Sequence, residues 1–92
     1  MAVTVVVPGV LRAEAGGESK LTVAGGVALG QVLDEVGTRW PRLERRVRDE
    51  QGQLRRYVNL YVDGEECRRL EGLATAVPET AEIMIVPSVA GG

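Results

Sequence analysis

The chain has 92 residues, 45% of them hydrophobic and 26% charged, which fits one small domain with a core and rules out both a disordered polymer and a second domain. Thirteen Asp and Glu oppose eleven Lys and Arg for a formal net charge of −2, the wrong balance for a general nucleic-acid binder. His is absent and Cys67 is the single cysteine, so the commonest general base, a disulfide framework and a multi-thiolate zinc cage are all excluded.

Residues 2–7 form a β-branched run that reads as a strand with Val3, Val5 and Val7 on one face. The run has no basic flank and is interrupted by Pro8 and Gly9, so no signal peptide is expected. No apolar stretch approaches the ~20 residues that span a membrane. A reducing, cytoplasmic setting is expected. Residues 10–18 read as a loop with one short turn at Val10, Leu11 and Arg12, and Gly16-Gly17 marks the return. Residues 19–24 alternate with Leu21 and Val23 inward, completing a hairpin.

Leu29, Val32, Leu33, Val36 and Trp40 recur at helical spacing, so an amphipathic helix is expected there, with Trp40 in the core and Pro41 as its stop. The polar, Arg-rich stretch 41–54 predicts a helical turn anchored by Leu43 and Val47, then a mobile loop around Gln51, Gly52 and Gln53. Residues 57–62 form the clearest strand. Val58, Leu60 and Val62 share one face, and Tyr57, Asn59 and Tyr61 share the other. Asp63-Gly64 predicts a hairpin turn, 65–69 a return strand, 70–78 a connector and 82–86 a last strand. The order β-β-α-β-β-β places one helix across one face of a sheet made from both hairpins and the last strand, an α+β fold.

Four features could carry chemistry. The first is the terminal Gly91-Gly92, which follows the strand containing Ile83, Met84, Ile85 and Val86 through small, uncharged Val89 and Ala90. Glycines lacking Cβ pass through narrow tunnels. A terminal carboxylate is ionised at neutral pH, with a reference pKa near ~3.5, and a partner that binds ATP can activate it. The second is Cys67, whose neighbours Arg68 and Arg69 could lower its pKa; the alternative is a small residue packed in a hairpin. The third is the set Arg39, Arg42, Arg45, Arg46, Arg48, Arg55 and Arg56, either a docking surface for an acidic partner or a solvated helix end. The fourth is Tyr57, Tyr61, Met84 and Val86. Strand alternation turns them to the open face of the sheet, where they read as a partner-binding patch. Asp34 and Glu35 read as a solvated helix face. No residues are expected to be catalytic, and none to bind metal.

The element order with its Gly-Gly end resembles the ubiquitin-like β-grasp sulfur carriers, the ThiS and MoaD group. Several segments look closer to the CysO-type carriers of bacterial cysteine biosynthesis. These are the start Val3-Thr4-Val5 with Pro8 and Leu11-Arg12, the strand Val58-Asn59-Leu60-Tyr61-Val62, the stretch Gly72-Leu73-Ala74-Thr75, and the end from Ile85 through Pro87 and Ser88 to Gly92. The resemblance implies a β-grasp domain over 1–87 with one main helix on one face of a mixed sheet, and a flexible tail over 88–92.

It also implies a mechanism. An E1-like enzyme would adenylate the Gly92 carboxylate with ATP, which the carrier itself does not bind. A sulfur donor would then replace AMP and leave a thiocarboxylate. That sulfur would pass to a biosynthetic enzyme making cysteine or another sulfur-containing metabolite. In the CysO-type pathway the acceptor is a pyridoxal-phosphate cysteine synthase, and a metalloprotease later frees cysteine. The chain would be a protein co-substrate and not an enzyme, with no nucleic-acid or membrane partner. Three other readings stay open: a ubiquitin-like modifier joined to lysines through Gly92, a small molybdopterin-synthase-type subunit, and a binding module with an inert tail.

Overall fold

A computed structural model describes residues 2–87. Residues 88–92, where the tail with Val89, Ala90, Gly91 and Gly92 is expected, lie outside the described residues, as does Met1.

Strand β1 (Ala2–Val6) leads into a 3₁₀-helix over Gly9–Ala15, and β2 (Lys20–Ala24) returns antiparallel to β1. The short turn expected at Val10–Arg12 is therefore a longer helical segment, because it buries both Leu11 and Ala15. The short strand β3 (Val27–Ala28) precedes α1 (Leu29–Arg39), which is followed by α2 (Pro41–Val47). Pro41 stops one helix and opens the next, where its missing N–H costs nothing. The start of α1 lacks a Ser, Thr, Asp or Asn cap; instead Gln31 Oε1 accepts the Ala28 N–H at 3.1 Å.

Strand β4 (Val58–Val62) turns through Asp63 and Gly64 into β5 (Glu65–Glu66). Both turn residues have positive φ, 50° and 88°, as the tight primed turn requires. The expected return strand over 65–69 is cut short: from Cys67 to Arg69 the chain coils into a 3₁₀-helix. The expected connector after it contains a 3₁₀-helix at Gly72–Ala74 and a further strand, β6 (Ala76–Val77), paired with β3 in a second small sheet. Strand β7 (Glu82–Pro87) completes the main sheet.

The main sheet has five strands in the order β2-β1-β7-β4-β5. Strand β7 lies in the middle, parallel to β1 and antiparallel to β4. The sheet is thus mixed. One sheet face carries buried Val3, Val5, Leu21, Val23, Val58, Leu60, Val62, Ile83 and Ile85. The stripe Leu29, Val32, Leu33 and Val36 of α1 packs into the same core, with Leu43 and Val47 of α2. Trp40 is only partly buried at the edge of this core, where the Arg39 guanidinium lies 4.4 Å from its ring centre.

Gly25 sits where backbone crosses backbone. A Cβ there would meet Val3 Cγ2 at 2.5 Å and the Glu79 Cα at 2.8 Å, closer than real carbon contacts. The loop around Gly52, expected to be mobile, is instead tied down. Asp49 Oδ1 accepts the N–H groups of Gln51 and Gln53, each at 2.9 Å, and the Asp49 N–H donates to Gln53 O at 2.8 Å. A short acidic side chain that satisfies local backbone donors is what makes Asp a turn former.

Candidate functional site

The face of the sheet away from the helices is uncovered, and strand register orders its side chains into rows. Lys20 pairs with Val6, Val6 with Met84, Met84 with Tyr61, and Tyr61 with Glu66. A single row thus crosses all five strands, apolar in the middle and charged at both ends. Beside it Thr22, Thr4 and Glu82 form a second row, and Asn59 with Val86 a third. Met84 is 41% exposed, although it sits in the central strand. Tyr61, Met84 and Val86 line a shallow depression of about 250 Å³ together with Gly64 and Glu82.

Three of the four residues expected on the open face are therefore brought together. Tyr57 is exposed but precedes β4, outside the β4–β7 ladder, and does not line the depression. Val6 was not singled out in the sequence. Its alternation with buried Val5 marks it as outward-facing, yet its contact with Met84 arises only from the parallel β1–β7 pairing. Glu82 and Glu66 join the site in the same way.

The row of Asn59 and Val86 lies next to the last described strand residue. Pro87 of β7 is opposite Val58, and Val86 opposite Asn59. Arg68 holds this corner: it donates to Val58 O at 2.9 Å, to Asn59 Oδ1 at 2.6 Å and to Arg55 O at 2.7 Å.

Cys67 does not join the site. It is fully buried in the core cluster. Burial pushes its thiol up from the ordinary value of 9.0, outweighing a backbone hydrogen bond with Leu60 and the charge of Arg68. Of the two readings of Cys67, the small packed residue holds and the thiol activated by neighbouring arginines does not, because the lost solvation of the thiolate is the larger effect. The thiol therefore stays protonated in the folded chain at a pH where it ionises once unfolded. The stability this brings is complete below pH 9.0 and is lost as pH rises above it. Denaturant titrations across this range should show a steeper alkaline loss of stability in the wild type than in Cys67→Ala; parallel curves would refute the assignment.

The arginines between Arg39 and Arg56 are partly consumed by internal bonds. Arg48 bridges the two helices, with Nε to Glu44 at 2.7 Å and Nη2 to Asp34 at 2.9 Å. Arg46 pairs with Glu14 at 3.7 Å, Arg39 with Glu35 at 3.4 Å, and Arg55 Nε donates to Arg45 O at 2.8 Å. Asp34 and Glu35 are thus engaged as ion-pair partners, separately from each other.

With this sheet and helix in place, comparison with known proteins is decisive. The ThiS family model matches residues 5–92. The chain belongs to the ThiS family. The sulfur carrier protein CysO of Mycobacterium tuberculosis is 38% identical over the full length of both chains. Among solved structures, CysO of Amycolatopsis orientalis, crystallised in a complex with BexX, superposes with a TM-score of 0.88 at 36% identity, covering 99% of this chain and all of that one. The small archaeal modifier protein 1 of Methanosarcina acetivorans superposes with a TM-score of 0.82 at 31% identity, covering 99% and 96%. The fold is therefore the ubiquitin-like β-grasp, and the chain is a small CysO-like sulfur carrier of the ThiS family. Among the described residues no helix is long and apolar enough to cross a membrane.

Proposed function

We propose that the α-carboxylate of Gly92 is the sulfur-bearing group, loaded on an E1-like enzyme and unloaded on a biosynthetic one. The carboxylate oxygen would attack the α-phosphorus of ATP and expel pyrophosphate. A sulfur nucleophile would then displace AMP from the acyl adenylate and leave a thiocarboxylate. Adenylation supplies the leaving group that a carboxylate lacks, and sulfur is a polarizable nucleophile. The carrier then needs no acid, base or metal of its own.

The observation that carries this reading is the position of β7. It is held by a strand on each side and ends at Pro87, five residues before Gly92. Five extended residues reach at most ~17 Å. A partner seated on the Tyr61–Met84–Val86 depression would therefore have its own catalytic site within reach of Gly92. The crystallised complex of a CysO with BexX supports a protein partner of this kind. Cysteine is the favoured product because the relatives are CysO proteins. The acceptor in that case is a pyridoxal-phosphate cysteine synthase, with a metalloprotease releasing the amino acid.

The test is intact-protein mass spectrometry after incubation with ATP, a sulfide source and the matching activating enzyme. The chain should gain the mass difference of one oxygen exchanged for sulfur, localised to the C-terminal peptide. Sulfur on Cys67 with an unmodified Gly92 would overturn the proposal. The likeness to a small archaeal modifier favours a second reading, attachment of Gly92 to lysines. An isopeptide-linked product in the same reaction would select it.

Docking is testable separately. Met84→Glu puts a carboxylate into the middle of the apolar row, where a partner would strip it of water. Affinity for the activating enzyme should fall by roughly tenfold or more, about 1.4 kcal/mol. The fold should survive because the side chain is exposed. Unchanged affinity in calorimetry with a folded variant would refute the docking face.

A further inference from the structure

Side chains occupy backbone groups at both edges of the five-stranded sheet. Strand β2 (Lys20–Ala24) forms one edge. The Val7 N–H donates to Ser19 O at 2.8 Å, and hydrogen-bonding residues alternate along an antiparallel ladder. Leu21 and Val23 therefore bond to β1, while Lys20, Thr22 and Ala24 turn their N–H and C=O groups outward. Two of these outward groups are occupied from α1. Arg39 Nη1 donates to Thr22 O at 2.9 Å, and the Ala24 N–H donates to Glu35 Oε1 at 3.3 Å. The two side chains, one turn apart on the helix, also pair with each other at 3.4 Å. A donor on one carbonyl and an acceptor for the N–H two residues on is the pair of bonds that one residue of a parallel neighbouring strand would make.

The opposite edge uses a similar device. Strand β5 covers only the last part of β4, as Glu65 and Glu66 pair with Val62 and Tyr61. Beyond it, the Arg68 guanidinium occupies Val58 O and Arg55 O.

We infer that the Glu35–Arg39 pair is an edge guard, which keeps β2 from pairing with β2 of a second copy of this chain. An uncovered edge strand is a template for strand addition, and β2 is self-complementary. Antiparallel pairing about a two-fold axis at Thr22 sets Lys20 of one copy opposite Ala24 of the other, so no like charges meet. It also sets Leu21 opposite Val23 on the core side, which continues the apolar layer across the junction. As a surface ion pair, with side chains 37% and 48% exposed, Glu35 and Arg39 add little to stability. Their effect lies in the backbone groups they occupy.

The experiment is sedimentation velocity over a concentration series, comparing the wild type with Glu35→Ala/Arg39→Ala. The wild type should remain monomeric, and the double variant should form a reversible dimer. Adding Thr22→Lys, which places two like charges face to face at the two-fold axis, should return the double variant to monomer. A single Glu35→Ala change, which leaves Arg39 on Thr22, serves as a milder variant. Its Ala24 N–H should exchange with deuterium several-fold faster than in the wild type. Four results would each overturn the inference: a folded double variant that stays monomeric, a dimer indifferent to Thr22→Lys, a wild type that dimerises equally well, or unchanged exchange at Ala24.

Discussion

Sulfur loading should stop when a single residue is added after Gly92. Adenylation uses the α-carboxylate of the final residue, and an extension converts the Gly92 carboxyl into an amide, which has no free oxygen to attack ATP. Gly91→Val should have the same effect by a different route. A β-branched side chain restricts the backbone and, under the proposed mechanism, would widen the segment that threads the partner's catalytic site. Neither change touches the core assembled from residues 3–85, so both proteins should fold as the wild type does, with matching circular dichroism and melting. The mass shift of an oxygen-to-sulfur exchange should appear in the wild type and be absent in both variants. If the extended chain still loads sulfur, Gly92 is not the acceptor. If it folds and still binds the activating enzyme, the loss belongs to chemistry and not to docking.

Leu33→Ala should remove most of the protein's stability. Leu33 is 1% exposed, in the middle of the α1 stripe and against the sheet. Truncating a buried leucine costs about 2–5 kcal/mol through lost burial and the cavity left behind. Small domains have total stabilities of roughly 5–15 kcal/mol, and one of this size lies at the low end. Sulfur loading should fall in proportion to the folded fraction, measured by denaturant titration on the same sample. A variant that remains fully folded but cannot be loaded would assign α1 to a partner surface and remove it from the core.

Much of this was legible in the residues because it depends on local pattern. Alternation along a strand has a period of two and needs no partner to be read. It placed Val3, Val5, Leu21, Val23, Val58, Leu60 and Val62 inside, and left Tyr61, Met84 and Val86 outside. Helical periodicity selected Leu29, Val32, Leu33 and Val36 for the core in the same way. The Asp63-Gly64 turn followed from the two residue types that best tolerate positive φ. The Gly91-Gly92 end is a feature of the sequence itself.

Where the expectations failed or left alternatives, the deciding interaction was not local. For Cys67 the sequence left two readings, and the core packed around it, not its adjacent arginines, decided for the packed residue. The β3–β6 sheet escaped notice because each strand has only two residues and gains its hydrogen bonds from a segment far along the chain. The loop at Gly52 looked polar and free until Asp49 folded back on its own backbone.

The chain's local pattern by itself determined which faces are apolar, where the turns lie and that a Gly-Gly end follows the last strand. Only the tertiary structure decided that β7 is central and parallel to β1, that Val6 therefore joins Met84 and Tyr61 in one row, and that Glu35 and Arg39 cover the edge of β2. The reason is physical. Side-chain direction is set by backbone geometry within a few residues, whereas strand order is set by which pairings bury the two apolar faces against each other, and that is a property of the whole chain.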